Sequence, residues 1–346
     1  MNIPEQKPAF PYSAFPDGWY VAGFSSSLAR GEVKRLTAHG QNWVLWRTES
    51  GRAFMSDAYC PHMGAHLGHG GKVRGEAIEC PFHLFCFDGN GACVSTPYGT
   101  KVPPKAKLPM VPLEEKHGLL LAWFHSEGHA PHWQVPALDM TGWLPLATEE
   151  WVLETHPQET TENSVDLGHL PAVHGYRDVE ILKPVEVHGP LLTTRYAVTR
   201  KGLPFITKDF RMEFTISVWG LGYSFVDVEV PAFRMKSRNF VLVSPIDGRH
   251  SYFRSAMTVS EDTDPKGLSP ALAILPKALA LRLVRAAAFR SYVADIKQDL
   301  DIWQTKRYVE PPALAVGDGP IGVYRRYCRQ FYSELRPAAQ SVAQAS

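Results

Sequence analysis

Tyr59 to Phe85 reads YCPHMGAHLGHGGKVRGEAIECPFHLF, and this stretch decides what kind of chain it belongs to. Cys60-Pro61-His62 is followed, after 17 residues, by Cys80-Pro81-Phe82-His83, so two short segments each offer one thiolate and one imidazole. A zinc finger groups Cys with Cys and His with His. Mixed pairs on separate loops instead suit a two-iron cluster, in which two thiolates hold one iron and two imidazoles the other. Neutral imidazoles leave less negative charge on such a cluster and raise its reduction potential. Gly64, Gly68, Gly70 and Gly71 let the chain bend closely around it. GHGGKVRG, inside the same stretch, lacks the strand–turn–helix setting of a phosphate loop and is set aside.

Working outward, VAGF, QNWVLWRT, RAFMSDAY, EAIEC and GLLLAWF are short aromatic and β-branched runs bounded by Gly, Asn, Asp and Pro. They predict an all-β unit over residues 16–125. A polar stretch rich in Pro and His follows as a linker over 126–150, and the remainder, 151–346, changes character. There, strand-like runs extend from about Val179 to Ser260, and an Ala-, Leu-, Lys- and Arg-rich helix is expected from Pro270 to about Arg307. The fold class is therefore α+β, with a second domain in which an antiparallel sheet wraps a long helix.

Composition bounds the function. With 346 residues, 45% hydrophobic, 21% charged and a net charge of +1, the chain is long enough for two domains. No Lys/Arg block points to a nucleic-acid partner. The apolar stretch Leu268 to Phe289 is broken by Pro276, Lys277, Arg282 and Arg285, so no transmembrane segment is expected. The first residues show no secretory signal. Five cysteines make no disulfide framework. Cys86, Cys93 and Cys328, outside the two mixed pairs, read as small buried hydrophobes, and a cytoplasmic location fits best.

A second constellation lies in Asn163-Ser-Val-Asp166-Leu-Gly-His169-Leu-Pro-Ala-Val-His174. Two imidazoles and one carboxylate on one face of iron(II) leave positions open for O₂. A carboxylate on the C-terminal helix can complete the set, and Asp295, Asp299 and Asp301 in YVADIKQDLDIWQTK are candidates. Asp295 and Asp299 are four apart and share a face, so periodicity does not separate them.

C-x-H-x₁₇-C-x₂-H with Pro after each Cys, followed by N-x₂-D-x₂-H-x₄-H, resembles the Rieske non-heme iron oxygenase family. The resemblance implies an N-terminal Rieske [2Fe–2S] domain, a C-terminal helix-grip catalytic domain, and both a Rieske cluster and a mononuclear Fe(II). It implies that Cys60, His62, Cys80 and His83 bind the cluster and that His169 and His174 bind iron. The D-x-x-I-W form of Asp299 to Trp303 makes Asp299 the third ligand. Asp166 would bridge towards a Rieske histidine of a neighbouring subunit, with Asn163 supporting the site from further out. Ala65, Phe82 and Leu84 stand where respiratory Rieske proteins carry their disulfide cysteines and a serine, so the centre resembles the lower-potential oxygenase type. DGNGACVSTPYGTKVPPKAKL and GDGPIGVYRRYCRQFY resemble 3-ketosteroid 9α-hydroxylase oxygenase components and cholesterol 7-desaturases, with aminopyrrolnitrin oxygenase as a second likeness.

The expected activity is monooxygenation of an apolar substrate, a steroid or steroid-like ring compound, by a homotrimer. No flavin or nicotinamide motif is present, so electrons come from a separate NAD(P)H-dependent reductase or ferredoxin. N-oxygenation of an arylamine and electron transfer without oxygenase activity are the alternatives. Phe205, Phe210, Phe214, Trp219, Phe225, Phe233 and Phe240 punctuate the second domain, and core packing is expected to account for five of the seven.

Overall fold

A computed structural model describes residues 7–202 and 209–335; Phe205 lies outside the described residues. The first third is all β, as expected, in three antiparallel sheets. Gly18–Phe24 pairs with Leu119–Phe124, which pairs with Leu113–Lys116. Val33–Ala38, Gln41–Arg47, Ala53–Asp57 and Met110–Val111 form the second sheet. Lys72–Arg74, Ala77–Glu79, Cys86–Phe87 and Cys93–Ser95 form the third. Trp46, Leu67, Ile78 and Phe87 fill the core behind the two Cys–His loops. Cys328 is buried, but Cys86 and Cys93 are only half-buried, because both lie on short strands of the small third sheet.

The second domain is built on one seven-stranded antiparallel sheet. Its strands lie in the order Ala147–Leu153, Ser251–Val259, Met235–Pro245, Tyr223–Val230, Phe210–Trp219, Leu191–Arg200 and Arg177–His188. Strand alternation assigns its two faces. Phe210, Met212, Phe214 and Ile216, with Val226, Val228 and Val230, line a cavity on one side. Tyr223, Phe225, Phe240 and Leu242 point to the other side and pack on Trp19, Val21, Leu119, Leu121 and Trp123 of the first domain. The approach there is close: a Cβ on Gly222 would lie 2.6 Å from the Trp19 carbonyl oxygen. Arg254 Nη1 and Ser244 Oγ both donate to the Val21 carbonyl, at 2.7 and 2.8 Å.

Five helices complete the fold: α1 (Pro157–Thr161), α2 (His169–His174), α3 (Pro265–Leu268), α4 (Lys277–Thr305) and α5 (Ile321–Cys328). The long helix does not begin at Pro270. Pro270–Ile274 is a 3₁₀ turn, Leu275 is extended at φ −89 and ψ 151, and α4 starts only after Pro276. Proline lacks an N–H and disfavours helical backbone at the residue before it, which separates the two pieces. None of the helices among the described residues is long and apolar enough to cross a membrane.

Val284, Ala288, Ser291, Asp295, Asp299 and Trp303 form one stripe of α4 facing the cavity. The stripe is tied to the sheet by Arg200, whose Nη1 and Nη2 donate to the two Asp295 carboxylate oxygens at 2.7 and 3.1 Å. Arg200 also donates to Tyr176 Oη at 2.9 Å and Ser291 Oγ at 2.9 Å, and Tyr176 donates to Asp295 at 2.9 Å. Both terminal nitrogens of Arg200 and both carboxylate oxygens of Asp295 are used in this half-buried fork, so removing one partner strands the other. Arg200→Met is expected to destabilise the fold by about 3–5 kcal/mol. Adding Asp295→Leu to it should restore most of the loss, as read by urea unfolding of single and double variants.

Candidate metal centres

The two Cys–His loops share one backbone design. Cys60 N donates to Ala65 O at 2.9 Å and Gly64 N to Cys60 O at 2.9 Å. In the second loop, Cys80 N donates to Phe85 O at 2.9 Å and Leu84 N to Cys80 O at 3.2 Å. The residue four after each cysteine turns through the left-handed region, Gly64 at φ 75 and Leu84 at φ 53. Cys60 and Cys80 are buried at the base of the loops. The His62 and His83 rings meet at 4.6 Å between centroids, 79° apart, and Phe85 stacks on His62 at 4.2 Å.

These four side chains fit a Rieske cluster on two counts. His62 Nδ1 is buried and has no hydrogen-bond partner, a cost that metal coordination would remove. Burial pushes the Cys60 thiol up to about 11 against donation from the His62 backbone, and the neighbouring Cys80 adds to the rise. A thiol raised in this way becomes thiolate through a metal rather than alone. Tyr59, Met63, Phe82 and Leu84 stand exposed around the loops.

His169, His174 and Asp299 form the second group. Their ligand atoms all lie within 4.8 Å of one another. His174 Nε2 is 3.4 Å from Asp299 Oδ2, and the two imidazole centroids are 5.2 Å apart. Both rings are oriented through Nδ1: His169 Nδ1 lies 2.6 Å from the Asp166 backbone oxygen, and His174 Nδ1 lies 3.1 Å from Gln298 Oε1. With Nδ1 donating to oxygen, Nε2 is the nitrogen left with a lone pair, the arrangement a metal needs. Burial opposes charge on His174, but the hydrogen bond and charge of Asp299 outweigh it and hold its pKa above the usual value.

Asp299 is buried, whereas Asp301 is exposed and Asp295 is held by Arg200. Asp166 Oδ1 accepts from the His169 backbone N–H at 3.1 Å, and its side chain is 32% exposed, so one edge of the carboxylate reaches the surface. Burial raises this carboxyl, yet the hydrogen bond and charge of His169 bring it below the usual range. Asn163 lines the cavity and accepts from Trp303 Nε1 at 3.5 Å.

The segment holding these residues is clamped from behind by the C-terminal tail. Tyr324 Oη donates to the Gln158 carbonyl at 2.9 Å, Tyr332 Oη to Gln158 Oε1 at 2.7 Å, and Arg325 forks onto Glu162 at 2.7 and 3.1 Å. Leu167 N donates to Asp318 O at 3.2 Å. Gly319, at φ 91, passes so close that a Cβ would meet the Val165 carbonyl oxygen at 2.3 Å. Gln298 and Arg200 are not singled out from sequence, and the glycine turn enters there only within the stretch GDGPIGVYRRYCRQFY; no local pattern pairs Arg200 with Asp295.

The triad lines a cavity of about 580 Å³. Of the aromatics expected in this domain, Phe210, Phe214 and Phe233 line it, while Trp219, Phe225 and Phe240 lie in the core behind the sheet. Three of the six described therefore face the cavity: alternation along Phe210–Trp219 puts Phe210 and Phe214 there, and Phe233 reaches it from the 3₁₀ turn Pro231–Phe233. Polar groups on its wall are few. Asn239 is 8% exposed, and its Oδ1 has no hydrogen-bond partner.

Residues 18–109 match the Rieske [2Fe-2S] domain, and residues 122–332 match the 3-ketosteroid 9alpha-hydroxylase C-terminal domain. Cholesterol 7-desaturase of Xenopus laevis is 30% identical, over 93% of this chain and 73% of its own length. The oxygenase component of 3-ketosteroid-9-alpha-monooxygenase from Rhodococcus rhodochrous is 28% identical, over 95% of this chain and 85% of its own. Among solved structures, dicamba monooxygenase bound to dicamba shares the fold with a TM-score of 0.64 at 18% identity, covering 91% of this chain and 97% of that one. NdmA of Pseudomonas putida CBB5 with caffeine does so with a TM-score of 0.69 at 15% identity, covering 90% and 89%. An oxygenase component of this kind takes its electrons from a reductase or ferredoxin. Matched in both domains, the chain belongs to the Rieske non-heme iron oxygenases, oxidoreductases carrying a Rieske [2Fe–2S] cluster and a mononuclear iron, in the branch with the 3-ketosteroid 9α-hydroxylase type of C-terminal domain.

Proposed function

We propose that this chain is the terminal oxygenase component of a monooxygenase acting on a steroid or steroid-like ring compound. The observation that carries the reading is the apolar cavity of about 580 Å³ that His169, His174 and Asp299 help to line. Cavities of roughly this size enclose ligands of several fused rings. The relatives named for cholesterol and 3-ketosteroids point to the same substrate class. An electron-transfer role alone leaves cavity and triad without a use.

In this reading Cys60, His62, Cys80 and His83 hold the cluster, and His169, His174 and Asp299 hold iron(II). When bound, the two centres supply single electrons and O₂ activation, with one oxygen atom inserted into substrate and the other leaving as water. The chain's own residues do the rest. Asp166 and Gln298 fix the ring orientations of His169 and His174. Phe210, Phe214 and Val228 exclude water from the substrate's ring face, which protects the reaction from solvent. Asn239 Oδ1 would accept from a hydroxyl substituent on the substrate. Asn163 positions Trp303 beside the iron ligands.

The domain division follows the same logic: residues 16–125 carry the cluster, 126–150 link, and 151–346 carry the iron and cavity, although strand Ala147–Leu153 already belongs to the second sheet. A homotrimer is the assembly proposed. The exposed Met63, Phe82 and Leu84 beside the cluster loops would dock on a neighbouring subunit near its partly exposed Asp166. A cytoplasmic location agrees with five cysteines that form no disulfide among the described residues.

Turnover of sterols, 3-ketosteroids and arylamines with a surrogate reductase, read by mass spectrometry, is expected to give a singly oxygenated steroid product; oxygenation of arylamines alone would move the substrate class. Asp299→Ala should lower iron content from about three to about two per chain while the visible cluster spectrum persists. Asp166→Asn should keep both the spectrum and the iron, yet slow product formation by roughly 10–100-fold. Wild-type turnover in that variant would remove Asp166 from the path between the centres.

A further inference from the structure

The segment from Pro265 to Arg290 has two apolar sides. One side closes the cavity with Leu268, Leu272, Val284 and Ala288. The other faces outward with Ile274 at 86% exposure and Leu279 at 46%, while Leu283, also 46% exposed, lies on the cavity wall where the two sides meet. Ala273, Pro276, Ala278 and Ala286 are exposed in the same segment, so the outer apolar side chains are not isolated along the chain.

Charge on this surface has one sign. The whole chain is balanced, with 36 Lys and Arg against 35 Asp and Glu. Residues 265–294, however, contain Lys266, Lys277, Arg282, Arg285 and Arg290 and neither Asp nor Glu. Lys277, Arg282 and Arg290 are exposed beside the apolar side chains. Apolar side chains interleaved with Lys and Arg fit the boundary layer of an anionic bilayer, where acyl chains take the former and headgroups the latter. A surface for a second copy of this chain would gain nothing from five like charges and would need acidic groups opposite them.

We propose that residues 265–290 form a docking surface for an anionic lipid bilayer, which holds the cavity wall built by Leu268, Leu272, Val284 and Ala288 next to the membrane. The consequence for substrate delivery, that an apolar ring compound passes from bilayer to cavity without crossing water, rests on the substrate class proposed above; the docking itself does not. Insertion of Ile274 and Leu279 supplies the apolar contact, and Lys277 and Arg282 the preference for anionic lipid.

The test is flotation of the iron-loaded full chain with phosphatidylcholine vesicles, neutral or doped with phosphatidylglycerol. Wild type is expected to favour the doped vesicles at least about tenfold, with the preference lost in high salt. Ile274→Asp with Leu279→Asp should lower binding about tenfold at unchanged iron content, elution volume and turnover of detergent-dispersed substrate. Lys277→Glu with Arg282→Glu should abolish the lipid preference. Equal recovery of wild type with and without vesicles overturns the proposal. So does a fall of the Ile274/Leu279 variant from oligomer to monomer on sizing, which would make the surface a subunit interface. Vesicle binding without any steroid product would leave the docking standing and remove the substrate class instead.

Discussion

Asp295 and Asp299 stand one turn apart on the same stripe of α4, and the guanidinium of Arg200 takes the first of them in a two-pronged hydrogen bond. That pairing fixes both the height and the rotation of the helix against the sheet. A helix turned by one residue would swing its stripe by about 100° and carry Asp299 away from His174. The same fork draws in Tyr176, which lies two residues beyond His174 and closes the α2 turn by donating its backbone N–H to Leu170. One guanidinium therefore registers three separately folded pieces: the end of the sheet strand Leu191–Arg200, the histidine segment and the long helix.

The buried tail works on the opposite side of the same segment. Tyr324, Tyr332 and Arg325 reach α1 and the turn after it, while the glycine turn at 317–319 presses against Val165 and Leu167. The iron-site segment is short and irregular, with a five-residue helix, a 3₁₀ turn and a six-residue helix in succession. Isolated helices of that length do not hold themselves. Their geometry comes from the elements packed on either side, which gives the tyrosine-rich C-terminal run a structural purpose.

Much of this was legible in the sequence, and the boundary is physical. The four cluster residues and the histidine pair are local patterns in which the chemistry and its spacing sit together, so Cys60 to His83 and Asp166 to His174 can be read directly. The faces of the strands were equally present in the text: Phe214 and Phe225 differ in parity through a paired register, and alternation sends one to the cavity and the other to the domain contact. The choice of Asp299 over Asp295 was different in kind. Only the D-x-x-I-W resemblance made it, because its physical ground, Arg200 holding Asp295, lies almost a hundred residues away and periodicity along one helix holds no such information. The start of α4 was misread because a composition favourable to helix hides the single Pro276 that breaks it.

The paired loops of the cluster domain have one unequal position. Gly64 turns through the left-handed region without penalty, but at the equivalent place the chain keeps Leu84. A leucine there costs about 1–2 kcal/mol in backbone conformation, and being 48% exposed it leaves much of its side chain in water. Glycine would relieve both penalties and preserve both hydrogen bonds of the loop. A side chain retained at that cost is what the proposed docking of this loop on a neighbouring subunit calls for: the contact would cover the exposed leucine and offset the strain of its backbone.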